Sequence, residues 1–243
     1  MGQLDGKTSL VTGASGGLGR CIALALAKSG SNIAIAARSV DKLEGVRREI
    51  EAEGVSCLAV PSDVTKEEDV TNLFGAVRDR FKALDLLVNN AGLALGGPSD
   101  AVSFEVWRSV MGVNVDGAFL CSREALAMMK PCQSGRIINI GSVSAKVPRV
   151  NAAPYTASKF ALEGMTRAMA LDARAYGVSV SILHPGNTDT PIWDPRRDVG
   201  EEEGLMCPDE VARIIVAMAG LPADINFLEG TVLPVSMPFL GRG

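Results

Sequence analysis

The sequence predicts an α/β domain: a parallel, doubly wound sheet of about seven strands with helices on both faces. Three observations predict it. Short apolar runs alternate with helical periods from end to end, the pattern of strands joined by crossover helices. Runs such as Asn32-Ile33-Ala34-Ile35-Ala36-Ala37 are almost continuously apolar, as strands covered on both faces are. A glycine turn, Gly13-Ala14-Ser15-Gly16-Gly17-Leu18-Gly19, follows the first such run and opens the first helix, and sheets of this kind bind ligands beyond the carboxyl ends of their strands. A chain of 243 residues suits one domain spanning 1–243.

In chain order, Ser9 to Thr12 reads as the first strand, and Cys21, Ile22, Leu24, Ala25 and Leu26 lie on the helix after it. Asn32 to Ala37 is the second strand, followed by a helix with Leu43, Val46 and Ile50 on one side; Cys57 to Val60 is the third. Thr65 with Glu68 spells a capping box, and Val70, Leu73, Phe74, Val77 and Phe81 recur at helical spacing behind it. Strand four is predicted over Leu84 to Val88 and strand five over Arg136 to Ile140, with a helical region around Phe104 to Met129 between them. A helix from about Ala153 to Ala175 precedes strand six, Val178 to Leu183. A loop, a helix near Asp209 to Ala219 and a last strand around Thr231 to Val235 complete the pattern.

Composition excludes several classes. Hydrophobic residues make up 47% and charged residues 21%, the net charge is −4, and no basic run exceeds the pairs Arg47-Arg48 and Arg196-Arg197, so a nucleic-acid footprint is absent. No segment has the length and apolarity of a membrane span, no leader precedes the first strand, and Gly6 stands where a myristoylation signal wants Ser or Thr. The expected location is the cytoplasm. Cys21, Cys57, Cys121, Cys132 and Cys207 are odd in number and scattered, which reads as reduced thiols in a core. A single histidine, His184, and no Cys/His cluster imply no metal site and exclude a zinc-dependent alcohol dehydrogenase. His184, just before Pro185, reads as a strand-end packing residue.

The glycine turn reads as a phosphate site. The helix after it leaves its first N–H groups unpaired, with partial positive charge facing whatever lies beyond the turn, and a pyrophosphate fits there. Gly13, Gly17 and Gly19 allow the sharp turn and the close approach. The spacing is G-x-x-x-G-x-G rather than G-x-G-x-x-G. The stretch also fits G-x-S-x-G, a nucleophile elbow at Ser15, but that elbow would sit on the first strand with His184 as its only base. No Gly-Lys-Ser or Gly-Lys-Thr follows, which excludes a P-loop. The acidic residue that holds an adenosine ribose at the end of a second strand is replaced by Ala37, and Arg38 follows it. A missing carboxylate and an added guanidinium favour a 2′-phosphate, so the expected cofactor is NADP(H).

Tyr155 and Lys159 are i and i+4 at the start of a helix and share a face. An ammonium one turn from a phenol favours the phenolate and lowers its pKa from about 10, so that tyrosine can exchange a proton with an alcohol or carbonyl oxygen. Ser142, at the end of the fifth strand, could steady the same oxygen.

Together these residues resemble the short-chain dehydrogenase/reductase family. Thr12-Gly13-Ala14-Ser15-Gly16-Gly17-Leu18-Gly19, Asp63-Val64, Asn89-Asn90-Ala91-Gly92, Asn114, Ser142, Tyr155-x-x-x-Lys159 and Pro185-Gly186 stand in the family's order over nearly the whole chain. The resemblance implies a Rossmann-type fold, a small-molecule carbonyl or alcohol substrate, and a homotetramer or homodimer built on the long helices after strands four and five. It implies Asn114, Ser142, Tyr155 and Lys159 as the catalytic set: Tyr155 the general acid or base, Lys159 depressing its pKa and bonding the nicotinamide ribose, Ser142 orienting the substrate oxygen, and Asn114 kinking its helix and holding a proton-carrying water. For the cofactor it implies Gly13, Ser15, Gly17, Leu18 and Gly19 at the turn, with Arg38 beside them. Asp63 and Val64 would flank adenine, Asn90 the adenosine ribose, and Thr188 and Thr190 the carboxamide and pyrophosphate. Gly141 replaces the family's frequent second serine, and the ending Leu233 to Leu240 lacks the family's Asp-Gly-Gly.

Leu93 and Leu95, Val143 to Asn151, and a loop from Ile192 to Met206 are expected to bound the substrate. Arg196 and Arg197 in that loop could anchor a substrate carboxylate or be solvated. A 3-oxoacyl-[acyl-carrier-protein] reductase and a dinucleotide-binding regulator without turnover remain as alternative functions.

Overall fold

The computed structural model describes residues 2–239, the side chains of Pro195 and Arg196 apart. Seven strands form one parallel sheet: β1 (Thr8–Thr12), β2 (Asn32–Ala37), β3 (Cys57–Pro61), β4 (Leu86–Asn89), β5 (Gly135–Ile140), β6 (Val178–Pro185) and β7 (Glu229–Val232), in the order β3-β2-β1-β4-β5-β6-β7. The order reverses between β1 and β4, which opens a crevice at their carboxyl ends.

Alternate residues of the buried strands feed two cores. Val11, Ile33 and Ile35 point to one face, covered by α1 (Gly17–Lys28), α2 (Val40–Glu51) and α8 (Pro208–Ala219) through Ile22, Leu26, Leu43, Val46, Val211 and Ile215. Leu10, Ala34 and Ala36 point to the other, under α3 (Glu67–Phe81), α5 (Gly117–Met129) and α6 (Ala153–Arg174) through Leu73, Phe74, Cys121, Met129 and Ala173. A buried polar chain ties α5 and α6 to the sheet: Asn89 Nδ2 donates to Ser122 Oγ (2.9 Å) and Asn139 Oδ1 (2.8 Å), and Asn139 Nδ2 donates to Thr166 Oγ1 (2.8 Å).

The structure corrects five local expectations. The Thr65–Glu68 capping box does not form, because the Asp63 carboxylate takes both the N–H and the hydroxyl of Thr65, and α3 begins at Glu67. The region from Phe104 to Met129 is broken into α4 (Phe104–Met111), a π-helical turn (Gly112–Asp116) and α5. The last strand lies earlier than predicted and stops at Val232, since Pro234 has no N–H for a ladder and Val235 is fully exposed. The expected loop after β6 contains a 3₁₀ turn (Pro191–Arg196) and α7 (Arg197–Glu203). Of the five cysteines, Cys132 and Cys207 are exposed instead of core residues. Burial lifts the thiol pKa of Cys21 to about 11 and of Cys57 and Cys121 to about 12, which keeps them protonated and inert.

Candidate active site

A cavity of ≈ 470 Å³ runs along the carboxyl edge of the sheet from Arg38 to Trp193, within the range of small-molecule sites. At its centre is the glycine turn. Gly13 holds φ +66, and a Cβ there would lie 2.7 Å from Ala91 Cα; one on Gly19 would meet the Gly13 carbonyl oxygen at 2.4 Å. Both glycines are therefore demanded by close approach of α1 to the turn and of the turn to the chain after β4. Asn90 reinforces that approach: its Nδ2 donates to the carbonyls of Thr12 (2.9 Å) and Gly13 (3.2 Å). The N-cap of α1 is Gly16, without a side-chain capping bond, so the helix offers its first N–H groups to the cavity. Ser15, Gly17 and Leu18 line it beside them.

At one end of the cavity stand Arg38, Asp63 and Val64. The hydroxyl and N–H of Thr65 and the nearby Arg38 charge outweigh desolvation and hold the Asp63 carboxyl below its usual pKa, so it is ionised. Lys42, in the first turn of α2, also reaches this end. Sequence reasoning missed this second cation, which lies four residues beyond Arg38 and across the extended N-cap Ser39, so no helical spacing links the two.

Ser142, Tyr155 and Lys159 line the middle of the same cavity. Lys159 lies one helical turn after Tyr155 on α6, its Nζ 5.6 Å from the centre of the phenol ring and donating to the Ile140 carbonyl at 2.8 Å. Lys159 is buried, and desolvation lowers its pKa to about 8. Ser142 Oγ accepts from Ser144 N at 3.1 Å, which fixes the hydroxyl in a tight turn. Asn114 sits in the π-helical turn but outside the cavity lining. Its Oδ1 accepts from Leu93 N (2.7 Å), and its Nδ2 donates to Leu93 O (2.9 Å) and Ser158 Oγ (2.9 Å). Those bonds use both amide hydrogens on protein partners and brace the wall that Leu93 contributes.

At the other end lie Thr188 and Thr190, the first with its hydroxyl on the Gly186 carbonyl (3.1 Å) and the second on the Thr188 carbonyl (3.3 Å). Leu93 lines the cavity, whereas Leu95 is exposed and does not. Arg197, expected as a possible substrate anchor, instead bonds Asp189 (2.8 Å) and Asp194 (3.2 Å), and the side chain of Arg196 falls outside the described residues. The cation lining the cavity here is Arg149, which lies within the stretch Val143 to Asn151 expected to bound the substrate, although its charge was not singled out. It pairs with Glu203, bonds Asn187 Oδ1 at 3.0 Å, and lies over the Trp193 ring at 5.3 Å; Asn187 Nδ2 also donates to Glu203 at 2.9 Å. The tail folds back over this loop, with Met237 buried and Ser236 Oγ donating to the Glu203 carbonyl at 3.0 Å; Leu240 lies beyond the described residues.

Comparison with known proteins agrees with this fold. A 3β-hydroxysteroid dehydrogenase of Mediterraneibacter gnavus is 33% identical over 195 residues, covering 80% of this chain and 70% of the relative. Among solved structures, an alcohol dehydrogenase of the archaeon Thermococcus sibiricus complexed with 5-hydroxy-NADP superposes with a TM-score of 0.87 at 30% identity, covering 93% of this chain and 95% of that one. An NAD+-bound xylitol dehydrogenase gives 0.87 at 26% identity, covering 94% and 98%. The short chain dehydrogenase family profile matches residues 7–200, and the chain, with its seven-stranded Rossmann-like fold, belongs to the short-chain dehydrogenase/reductase family of oxidoreductases.

Proposed function

We propose that this chain, as one domain over 1–243, is an NADP(H)-dependent oxidoreductase that interconverts a carbonyl and a secondary alcohol on a small or medium substrate. The carrying observation is that Tyr155, Lys159 and Ser142 line one cavity with the glycine turn. The main-chain N–H groups at the start of α1 suit a pyrophosphate, and Arg38 with Lys42 suits a 2′-phosphate. Related folds hold either 5-hydroxy-NADP or NAD+, so these two cations and the missing carboxylate at Ala37 carry the choice of NADP(H).

NADP(H), when bound, supplies or accepts the hydride. The Ser142 hydroxyl donates a hydrogen bond to the substrate oxygen, keeping its own proton, and holds that oxygen beside Tyr155. In reduction the Tyr155 phenol delivers a proton to that oxygen, and in oxidation the phenolate removes one. The Lys159 ammonium stabilises the phenolate electrostatically. Asn114 acts on the site by bracing Leu93 and Ser158. Ile192 and Trp193 close the substrate end beside Arg149.

The working form is a cytoplasmic homodimer or homotetramer. Phe104, Trp107 and Phe119 after β4, and Phe160 and Leu171 on α6, are large exposed apolar side chains that a second copy would cover; light scattering on the purified chain tests this. No helix among the described residues is long and apolar enough to cross a membrane. A panel of ketones, hydroxysteroids, sugar alcohols and 3-oxoacyl thioesters, read by NADPH absorbance, tests the activity. Turnover of free ketones that Tyr155→Phe abolishes supports the reading. Preference for acyl-carrier-protein thioesters makes it a 3-oxoacyl reductase, and no turnover of any compound leaves a dinucleotide-binding regulator.

A further inference from the structure

The chain's one histidine is fully buried at the end of β6, where the adjacent end of β5 carries Gly141 and Ser142. Its Nδ1 lies 2.9 Å from the Ser142 carbonyl oxygen and 3.2 Å from the Ser142 nitrogen, so the ring bonds the backbone of that residue in either tautomer, donating to the carbonyl when Nδ1 carries the proton and accepting from the N–H when it does not. Gly141 makes this possible. A Cβ on Gly141 would lie 2.5 Å from His184 Nδ1 and 2.9 Å from Cε1, so any side chain at 141 competes with the imidazole for the same space.

The far side of the ring faces a cage of charge. His184 Nε2 lies 3.7 Å from Glu163 Oε2, on α6, and 3.7 Å from Glu229 Oε1, on β7. Lys146 Nζ binds Glu163 Oε1 at 2.7 Å and Glu229 Oε1 at 2.5 Å. Arg167 joins the same carboxylates at 2.6 and 2.8 Å. Glu163, His184 and Glu229 could also bring three ligand atoms within 4.8 Å, but the Lys146 ammonium already balances their charge there and argues against a metal. Lys146 closes the turn that Ser142 opens. That turn is thus gripped at one end by His184 and at the other by the two glutamates.

We propose that His184 is a positioning residue for Ser142, using the space left by Gly141 to clamp the serine's backbone and aim its hydroxyl into the cavity. Residues whose rotamers and backbones are held by such supporting bonds keep a reacting constellation in register, and a lost hydrogen bond of this kind changes a rate by about tenfold. Burial lowers the His184 pKa, while the Ser142 carbonyl, Glu163 and Glu229 oppose that and Lys146 adds to it. The ring is neutral in the working range, and its function is geometric.

The proposal rests on Ser142 acting on the substrate oxygen, and a double-mutant cycle separates the two claims. Four holoenzymes are compared on the best ketone of the panel: wild type, S142A, H184F and S142A/H184F, with H184N as the conservative variant whose amide can reach the same backbone groups. The expected result is a fall in kcat of about tenfold for H184F, unchanged KM for NADPH, substantial rescue in H184N, and no further fall in S142A/H184F relative to S142A. An equal loss from H184F with and without the Ser142 hydroxyl, or H184F activity equal to wild type, overturns the positioning role. If S142A itself costs nothing, the catalytic reading fails instead. G141A supplies a second route should H184F fail to fold: it is expected to lower kcat through the same clash, and G141A/H184A to recover the folding that G141A loses. A fully active G141A overturns the shared-space argument.

Discussion

The two ends of the cavity are built differently. At the cofactor end the contacts come from backbone and from near neighbours in sequence: the glycine turn, the uncapped start of α1, and Arg38 with Lys42. At the substrate end they come from side chains far apart in the chain, Arg149, Asn187, Trp193 and Glu203, which bind one another. A main-chain cradle is rigid and accepts one kind of ligand. A ring of paired side chains can be rebuilt by single substitutions, which is how one fold serves many substrates.

Several measurements can break or sharpen that contrast. The largest expected effect lies where the two ends meet: Tyr155→Phe should lower kcat by on the order of a hundred- to ten-thousandfold while the Kd for NADPH, measured by fluorescence titration, stays put. A matching loss of cofactor affinity would mean that the two ends are not separable.

Lys159 should give the next largest effect. Its folded pKa of about 8 lies below the ordinary 10.5, so between those pH values the unfolded chain holds a proton that the folded chain has released. Lys159 therefore contributes stability that rises with pH across that window, by up to ~3 kcal/mol, while the buried thiols of Cys21, Cys57 and Cys121, whose pKa values are raised, act in the opposite sense above about pH 9 in wild type and K159M alike. Denaturant melts of wild type and K159M isolate this increment, which K159M should lack.

At the cofactor end, R38A/K42A should weaken NADPH by about tenfold, the size of a partly screened charged bond, and leave NADH unchanged; A37D/R38A should move the preference toward NADH. Equal losses for both cofactors would remove the 2′-phosphate assignment. The smallest effect belongs to the substrate end. E203Q, which weakens the Arg149 clamp, should change the ketone KM by about fivefold with NADPH binding untouched, and a change in NADPH binding instead would show that the clamp serves the cofactor.

The contrast also explains what could be read in advance. The glycine turn, Arg38, Tyr155 and Lys159 were legible because each is a local pattern: a turn, a strand end, an i,i+4 pair. Lys42 was overlooked, since no such pattern links it to Arg38. The helix Arg197–Glu203 was not legible, since Gly200 is its only buried residue, no apolar period marks it, and Arg149 secures it from a distant loop. The Thr65–Glu68 box misled because a carboxylate two residues upstream, Asp63, outcompetes the helix for Thr65.

By itself the sequence determined the order of strands and helices, the glycine turn and the one-turn Tyr155–Lys159 pair, because apolar periodicity and one-turn spacing are properties of neighbouring residues. Only the tertiary structure decided that His184 takes the room left by Gly141, that Arg149 meets Glu203, and that Asn114 braces Leu93. Those partners lie 43, 54 and 21 residues apart, and it is strand register and helix packing, not any local pattern, that bring them within bonding distance.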